Sequence, residues 1–200
     1  MEFKITQFVR IKDHCIYRGE HNIFSGEKTL ELPDFLKQAY LYLDVSYPKF
    51  HKMDELSKLG ILGTDLLFRD REKIPENTAL VFSNFSSSLG TDEIHQGSID
   101  QTVSPSVFVY TLPNIVMGEI CIKNKIYGEN AFFITPNFDA DLIWEYSESL
   151  LRDKAASAIV CGWIEWKNAE YDVFLCLISE EGKQTFSADN LKALYNFENE

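Results

Sequence analysis

Three short runs limit what this chain can fold into: TALVFS at 78–83, AFFIT at 131–135 and ASAIVCGWIEW at 156–166. The first two are too short for a stable helix. All three are largely apolar and rich in β-branched or aromatic residues, the pattern of strands, and TALVFS reads as a buried one. Between them lie segments with helical spacing. In 51–69, Met53, Leu56, Leu59, Gly63, Leu66 and Leu67 recur at three- and four-residue steps, which predicts a helix with one packed face. Gly60 and Gly63 inside it each cost about 1 kcal/mol relative to alanine, so a close approach of another backbone is expected there.

Further elements follow from local signals. Runs at 3–11 and 15–17 are β-prone, and 36–42 reads as a short helix, with a strand also open. After the Ser- and Gly-rich turn SNFSSSLGTDE, a helix is expected over 91–100, then a loop holding Ser104 and Pro105. A second helix is expected over 112–123, with Thr111 as N-cap, Pro113 in its first turn and Gly128 a few residues past its end. Asn137 is the expected cap of a helix over 138–152, with Asp139 and Asp141 in the first turn. Strands 156–166 and 172–178 are joined by a polar turn near 167–170, which predicts a hairpin. A closing helix over 186–195 is introduced by Ser187 or Asp189. Strands alternating with helices give an α/β domain, a mixed β-sheet covered by α-helices, and 200 residues suit one domain over 1–200.

Charge and cysteine usage narrow the function classes. The formal net charge of -12, from 31 acidic against 19 basic residues, argues against nucleic acid or an anionic membrane as partner. Lys123 and Lys125 read as complements to a helix dipole. The N-terminus lacks an apolar leader core, and no apolar run approaches the roughly 20 residues that span a bilayer, so a cytoplasmic protein is expected. Cys121, Cys161 and Cys176 sit in apolar segments and Cys15 stands alone; without a CxxC pair, neither a zinc ribbon nor a disulfide framework is expected. Asp92, Glu93 and His95 do not share one face of a helix, so no metal is expected. No GxSxG, GxGxxG or Walker-type loop occurs, and no cofactor is expected. Trp144, Trp163 and Trp166 read as core or interface residues.

From 47 to 166 the chain resembles the N-terminal half of the β-ketoacyl synthases, which have the thiolase fold. The resemblance rests on YPKFHKMDELSKLGILGTDLL (47–67), ALVFSNFSSSLGTD (79–92), SPSVFVYTLPNIVMGEICIKNKIYGEN (104–130) and AASAIVCGWIEW (155–166), in family order and spacing. Residues 1–46 have no firm match. The chain looks most like the short ketosynthase-like and chain-length-factor-like proteins of bacterial aryl-polyene and flexirubin-type pigment pathways. The resemblance implies a thiolase-like half-fold. It aligns Asn137 with the family's nucleophilic cysteine, and an amide cannot form an acyl-enzyme. The family's catalytic histidines lie in its C-terminal half, and His14, His21, His51 and His95 fall in no matching motif.

Within 138–152, Asp141, Glu145, Glu148 and Arg152 form a charged stripe opposite Phe138, Leu142, Tyr146 and Leu150. A helix sandwiched in a complete thiolase fold would be apolar nearly all round, so the stripe reads as that of a natural half-fold. By resemblance, dimers form through the strand Ala131, Phe132, Phe133, Ile134 and Thr135, and Thr111, Asn114, Met117, Gly118 and Phe138 lie near an acyl tunnel. The implied role is a non-catalytic subunit that pairs with an active β-ketoacyl synthase, meets acyl carrier protein only indirectly, and shapes or stabilises the partner's tunnel. The alternatives are a small acyl-thioester decarboxylase or hydrolase, and a stand-alone acyl-binding homodimer.

Overall fold

A computed structural model of the chain describes residues 2–99 and 104–197. Eight strands form one mixed sheet: β1 (Lys4–Lys12), β2 (Cys15–Arg18), β3 (His21–Ser25), β4 (Ala79–Asn84), β5 (Asn130–Ile134), β6 (Ile159–Lys167), β7 (Glu170–Ser179) and β8 (Gln184–Thr185). The order across the sheet is β3-β2-β1-β7-β6-β4-β5, with β8 beside β1. Strands β4, β5 and β6 run parallel, and the other pairs are antiparallel. The helices are α1 (Leu32–Tyr42), α2 (Glu55–Phe68), α3 (Leu89–Ser98), α4 (Pro105–Phe108), α5 (Ile115–Asn124), α6 (Ala140–Arg152) and α7 (Ala188–Tyr195).

Each central strand feeds two cores, as its unbroken apolar sequence requires. Leu80 and Phe82 of β4 join one cluster with α1, α2 and α5; Ala79 and Val81 join the other with α6 and α7. The same alternation divides Val173, Leu175 and Leu177 from Phe174, Cys176 and Ile178 on β7. Three layers result, helix–sheet–helix.

The structure revises several expected boundaries. The helix expected over 51–69 is two elements: a 3-10 turn at Pro48–Lys52, and α2, whose N-cap Asp54 accepts from the Ser57 N–H at 2.9 Å. Helix α2 is buried on nearly every side rather than along one face. Its glycines admit side chains, not the backbone expected: a Cβ on Gly60 would lie 2.3 Å from Val116 Cγ2, and one on Gly63 2.8 Å from Leu175 Cδ1. Thr111 is no cap; α5 starts after Asn114, which makes no side-chain cap bond. Pro113 precedes the helix instead of lying in its first turn. Lys123 does more than complement a dipole, since it pairs with Asp65 of α2 at 2.5 Å.

Helix α1 begins at Leu32, and the stretch expected to be loop after Ser104 holds the short α4. The expected end of α3 at Asp100 lies outside the described residues, as do 198–200. Strand β3 is an addition, because HNIFS lacks the alternation that marks a strand. The hairpin β6–β7 and the Ser187 cap of α7, which accepts from the Asn190 N–H at 3.2 Å, match expectation.

Gly162 explains one fixed point in the centre of the sheet. Its φ is +146°, and a Cβ there would meet the Phe174 carbonyl oxygen on β7 at 2.0 Å, so only glycine fits.

Candidate functional site

Strand β5 ends the sheet on one side and hydrogen-bonds only to β4 among the described residues. The register runs unbroken from Leu80↔Asn130 to Asn84↔Ile134. Leu80 N–H donates to Glu129 O and Thr135 N–H to Asn84 O, so the odd-numbered residues face β4. Backbone groups alternate along a strand; those of Asn130, Phe132 and Ile134 therefore point away from the sheet and find no strand partner among the described residues. No charge, proline or bulge guards this edge.

Both flanks of the edge are built from exposed or half-exposed apolar and small residues. On one face Phe132 packs against the core shared with α5, whose N-cap residue Asn114 forms an exposed stripe with Gly118 and Ile122 at four-residue steps. Nothing lies within 4 Å of a Cβ placed on Gly118, and Ile122 is 66% exposed. Cys121 Sγ lies 3.7 Å from the Asn130 side chain, which sets this stripe beside the strand. On the other face Phe133 meets Tyr146 of α6, ring centroids 5.3 Å apart. At the strand's end Ile134 is 53% exposed, and Phe85, Phe108, Val109 and Leu112 are exposed as well.

The position expected to carry the family's nucleophile lies at the end of this edge. Asn137 is exposed, and its carbonyl accepts from Thr135 Oγ1 at 2.9 Å. It does not cap α6. Asp139 does, accepting from the Leu142 N–H at 3.0 Å. A carboxylate suits the positive end of the helix dipole as well as an amide suits a cap, and Asp139 has the extended backbone that capping needs. The helix start is thus filled by the chain's own anion. Asp141 reaches Lys192 of α7 at 2.7 Å, on the surface.

The packed line of α6 is Ala140, Ile143, Ser147 and Leu151; the stripe expected to be packed, Leu142, Tyr146 and Leu150, is half-buried at its flank. Small Ala140 and Ser147 let the helix lie close to the sheet, which selects that line. Phe138 belongs to the core on the α6 side, 5.4 Å from Phe174 and 4.7 Å from Tyr195 between ring centroids. Met117 belongs to the core on the opposite face of the sheet. These two tunnel candidates therefore lie on opposite faces of the sheet, whereas Asn114 and Gly118 are exposed and the Thr111 carbonyl accepts from Ser88 Oγ at 2.7 Å.

Two polar features escaped the sequence. Glu119 is buried on α5, where Lys49 Nζ lies 2.6 Å away and the Tyr47 and Tyr110 hydroxyls donate at 3.3 and 3.1 Å. Burial, then the Glu119 charge, pushes the Tyr110 phenol up. The second is Glu165 on β6, which accepts from the Phe85 and Ser86 N–H groups at 2.7 and 3.2 Å and so fixes the turn after β4. Asp54, whose second oxygen accepts from Thr91 at 2.8 Å, is pushed up chiefly by burial. These partners lie far apart in sequence, and the one readable signal was Asp54 three residues before Ser57.

Burial pushes the Cys161 thiol up to about 12 and Cys176 well above its usual value, so both are thiols without nucleophilic character. Among the described residues, no group of three or more His, Cys, Asp or Glu side chains could hold a metal ion. Among them, too, no helix is long and apolar enough to cross a membrane.

Neither protein-family models nor curated proteins match the chain by sequence. Solved structures match by fold. The ishigamide ketosynthase/chain length factor superimposes with a TM-score of 0.66 at 13% identity, over 92% of this chain and 64% of that one. A ketosynthase (ApeO) in complex with its chain length factor (ApeC), from Xenorhabdus doucetiae, gives 0.59 at 12% identity over 98% of this chain and 90% of the matched one. AntDE:AntF (apo), a type II polyketide synthase acyl-carrier protein in complex with its ketosynthase bound to the hexaketide, gives 0.61 at 11%, over 90% and 63%. The chain thus spans just under two thirds of two of these chains and nearly all of the third. The fold is that of the ketosynthase and chain-length-factor structures, a thiolase-like mixed sheet covered by helices.

Proposed function

We propose that this chain is a non-catalytic, chain-length-factor-like subunit that adds its β5 edge to the equivalent edge of an active β-ketoacyl synthase. The observation that carries the reading is the unguarded edge strand NAFFI, with three outward backbone positions and apolar shoulders on both faces. An edge of that kind is unstable as a free surface and suited to antiparallel pairing with a second chain. Asn114 and Gly118 on the adjoining stripe would then face the partner and help define the end of its acyl tunnel. The partner's cysteine would carry the acyl group, because Asn137 offers an amide and the helix start behind it is closed by Asp139. Acyl carrier protein would be met through the partner. Pairing of two copies of this chain by the same strand is the form expected without that enzyme.

The reading is tested by co-expression with a full-length ketosynthase of the same genome, followed by size-exclusion chromatography and a condensation assay. A one-to-one complex whose turnover disappears when the partner's cysteine is replaced is the expected result. Turnover of an acyl thioester by this chain alone would favour the decarboxylase or hydrolase alternative instead.

A further inference from the structure

A cavity of about 620 Å³ opens where β4 and β6 begin, between the α2–β4 loop, the α6–β6 loop and the end of β7. No residue of β5 or α5 lines it, so it is separate from the edge discussed above. Phe68, Leu151, Leu177, Ala156 and Ala158 give it a buried apolar floor, and half-buried Ile74 adds a wall. Its rim carries Arg71, Lys73 and Lys154 against Glu180 and Glu181. Three cations to two carboxylates reverses the balance of the whole chain, which has 19 basic and 31 acidic residues.

The state of Arg71 indicates what the rim would hold. Its Nη1 donates to Glu181 Oε2 at 3.2 Å, yet the Glu181 side chain is 81% exposed. One arm of the guanidinium fork is therefore already engaged by a carboxylate held only at the surface, the weak class of ion pair that exchanges at little cost. A ligand carboxylate could take that place and use two arms of the fork, the geometry guanidinium favours. The volume falls within the roughly 300–1,000 Å³ of small-molecule sites, and the floor offers an aliphatic chain a dry surface.

We infer that this cavity binds a long-chain carboxylate, with its polymethylene chain on Phe68, Leu151 and Leu177 and its head group on Arg71 between Lys73 and Lys154. The inference stands independently of pairing through β5.

Calorimetric titration of the full chain with dodecanoate tests it. Saturable one-to-one binding is expected, with dodecyltrimethylammonium, of equal tail and opposite charge, binding at least about tenfold more weakly. Arg71→Gln should lower dodecanoate affinity about tenfold through loss of a charge-assisted contact. Lys28→Gln, on the loop after β3, should leave it unchanged. If Arg71→Gln does not fold, the double variant Lys73→Gln/Lys154→Gln, at two exposed positions, makes the same test. Absence of saturable binding, equal binding of the cationic amphiphile, or full affinity in the rim variants would overturn the assignment.

Discussion

The two outer strands of the sheet end it in opposite ways. Strand β3 is polar where it meets solvent: His21, Asn22 and Ser25 are exposed, and Asn22 Nδ2 donates to Ser25 Oγ at 2.9 Å. Its register against β2 shifts between Ile16 and Tyr17, and Phe24 turns inward to Phe35 and Tyr42, with ring centroids 5.7 and 5.0 Å away. Irregularity and polarity are the devices by which a sheet edge avoids a second chain. Strand β5 lacks the irregularity and is polar only at Asn130. Its register is regular, its sequence uncharged, and its own Ile134 is exposed together with the nearby Ile122 and Tyr127. The sheet thus has one end fit to stop and one fit to continue, and the asymmetry is what the proposed pairing through β5 rests on.

The contrast breaks most directly by placing the same charge on both edges. Ile134→Lys puts an ammonium on the exposed shoulder of β5 and should weaken association with the proposed ketosynthase partner about 100-fold, the scale of an unpaired charge at a buried interface. Asn22→Lys on β3 should leave association unchanged and stability within about 0.5 kcal/mol. Sedimentation of each variant with the partner checks both. Equal binding by Ile134→Lys would remove β5 as the interface, and loss of binding by Asn22→Lys would remove the distinction between the edges.

What the sequence made legible follows the same division. Buried strands β4, β6 and β7 could be read from apolar runs such as LVF and IVCGWI, because burial on both faces leaves no polar position to blur the signal. Strand β3 was not legible: its half-exposed, bulged sequence carries no period. The helix starts were read two and three residues early, since Asn137 and Thr111 are good caps by type and only the chain's path shows that Asp139 caps α6 and that α5 waits until Asn114. Glu119 was invisible as a buried carboxylate because Tyr47, Lys49 and Tyr110, which make its burial tolerable, come from elsewhere in the chain. The β5 segment was legible as a strand from its apolar run, and its role as an interface came from family resemblance; that it ends the sheet, with the backbone groups of Asn130, Phe132 and Ile134 turned outward, required the structure.

A pair of thiols sharpens the comparison at smaller effect. Cys15 lies on β2 near the polar edge, 3.6 Å from Ser25 Oγ, and Cys121 lies beside β5. Both are half-exposed, and burial pushes the Cys121 thiol up. With saturating partner, alkylation of Cys121 by iodoacetamide should slow about tenfold as the free population falls, while that of Cys15 is unchanged. Peptide mass spectrometry resolves the two, and buried Cys161 and Cys176 should remain unlabelled in the folded chain.

The smallest effect tests how the polar edge is held. At the β1–β2 turn the His14 N–H donates to the Tyr171 hydroxyl at 2.7 Å, and Tyr171 stacks on Phe35 with centroids 5.9 Å apart, so one ring ties the β1–β3 side to the core. Burial, the largest cause, pushes that phenol up to about 12 from an ordinary 10.0. A neutral group whose proton is held more tightly in the folded state contributes stability that is complete below pH 10 and lost as the pH rises through about 12. Denaturant midpoints should therefore fall over that window, by an increment of about 1 kcal/mol from this ring after solvent screening. Tyr171→Phe should lose the hydrogen bond and some stability at neutral pH, yet show a shallower alkaline decline. A decline as steep as that of the unaltered chain would mean that the alkaline loss arises elsewhere, for example at Tyr195, also pushed up to about 12. Association through β5 should be unaffected by Tyr171→Phe at neutral pH, because no group that ties down the polar edge takes part in the open one.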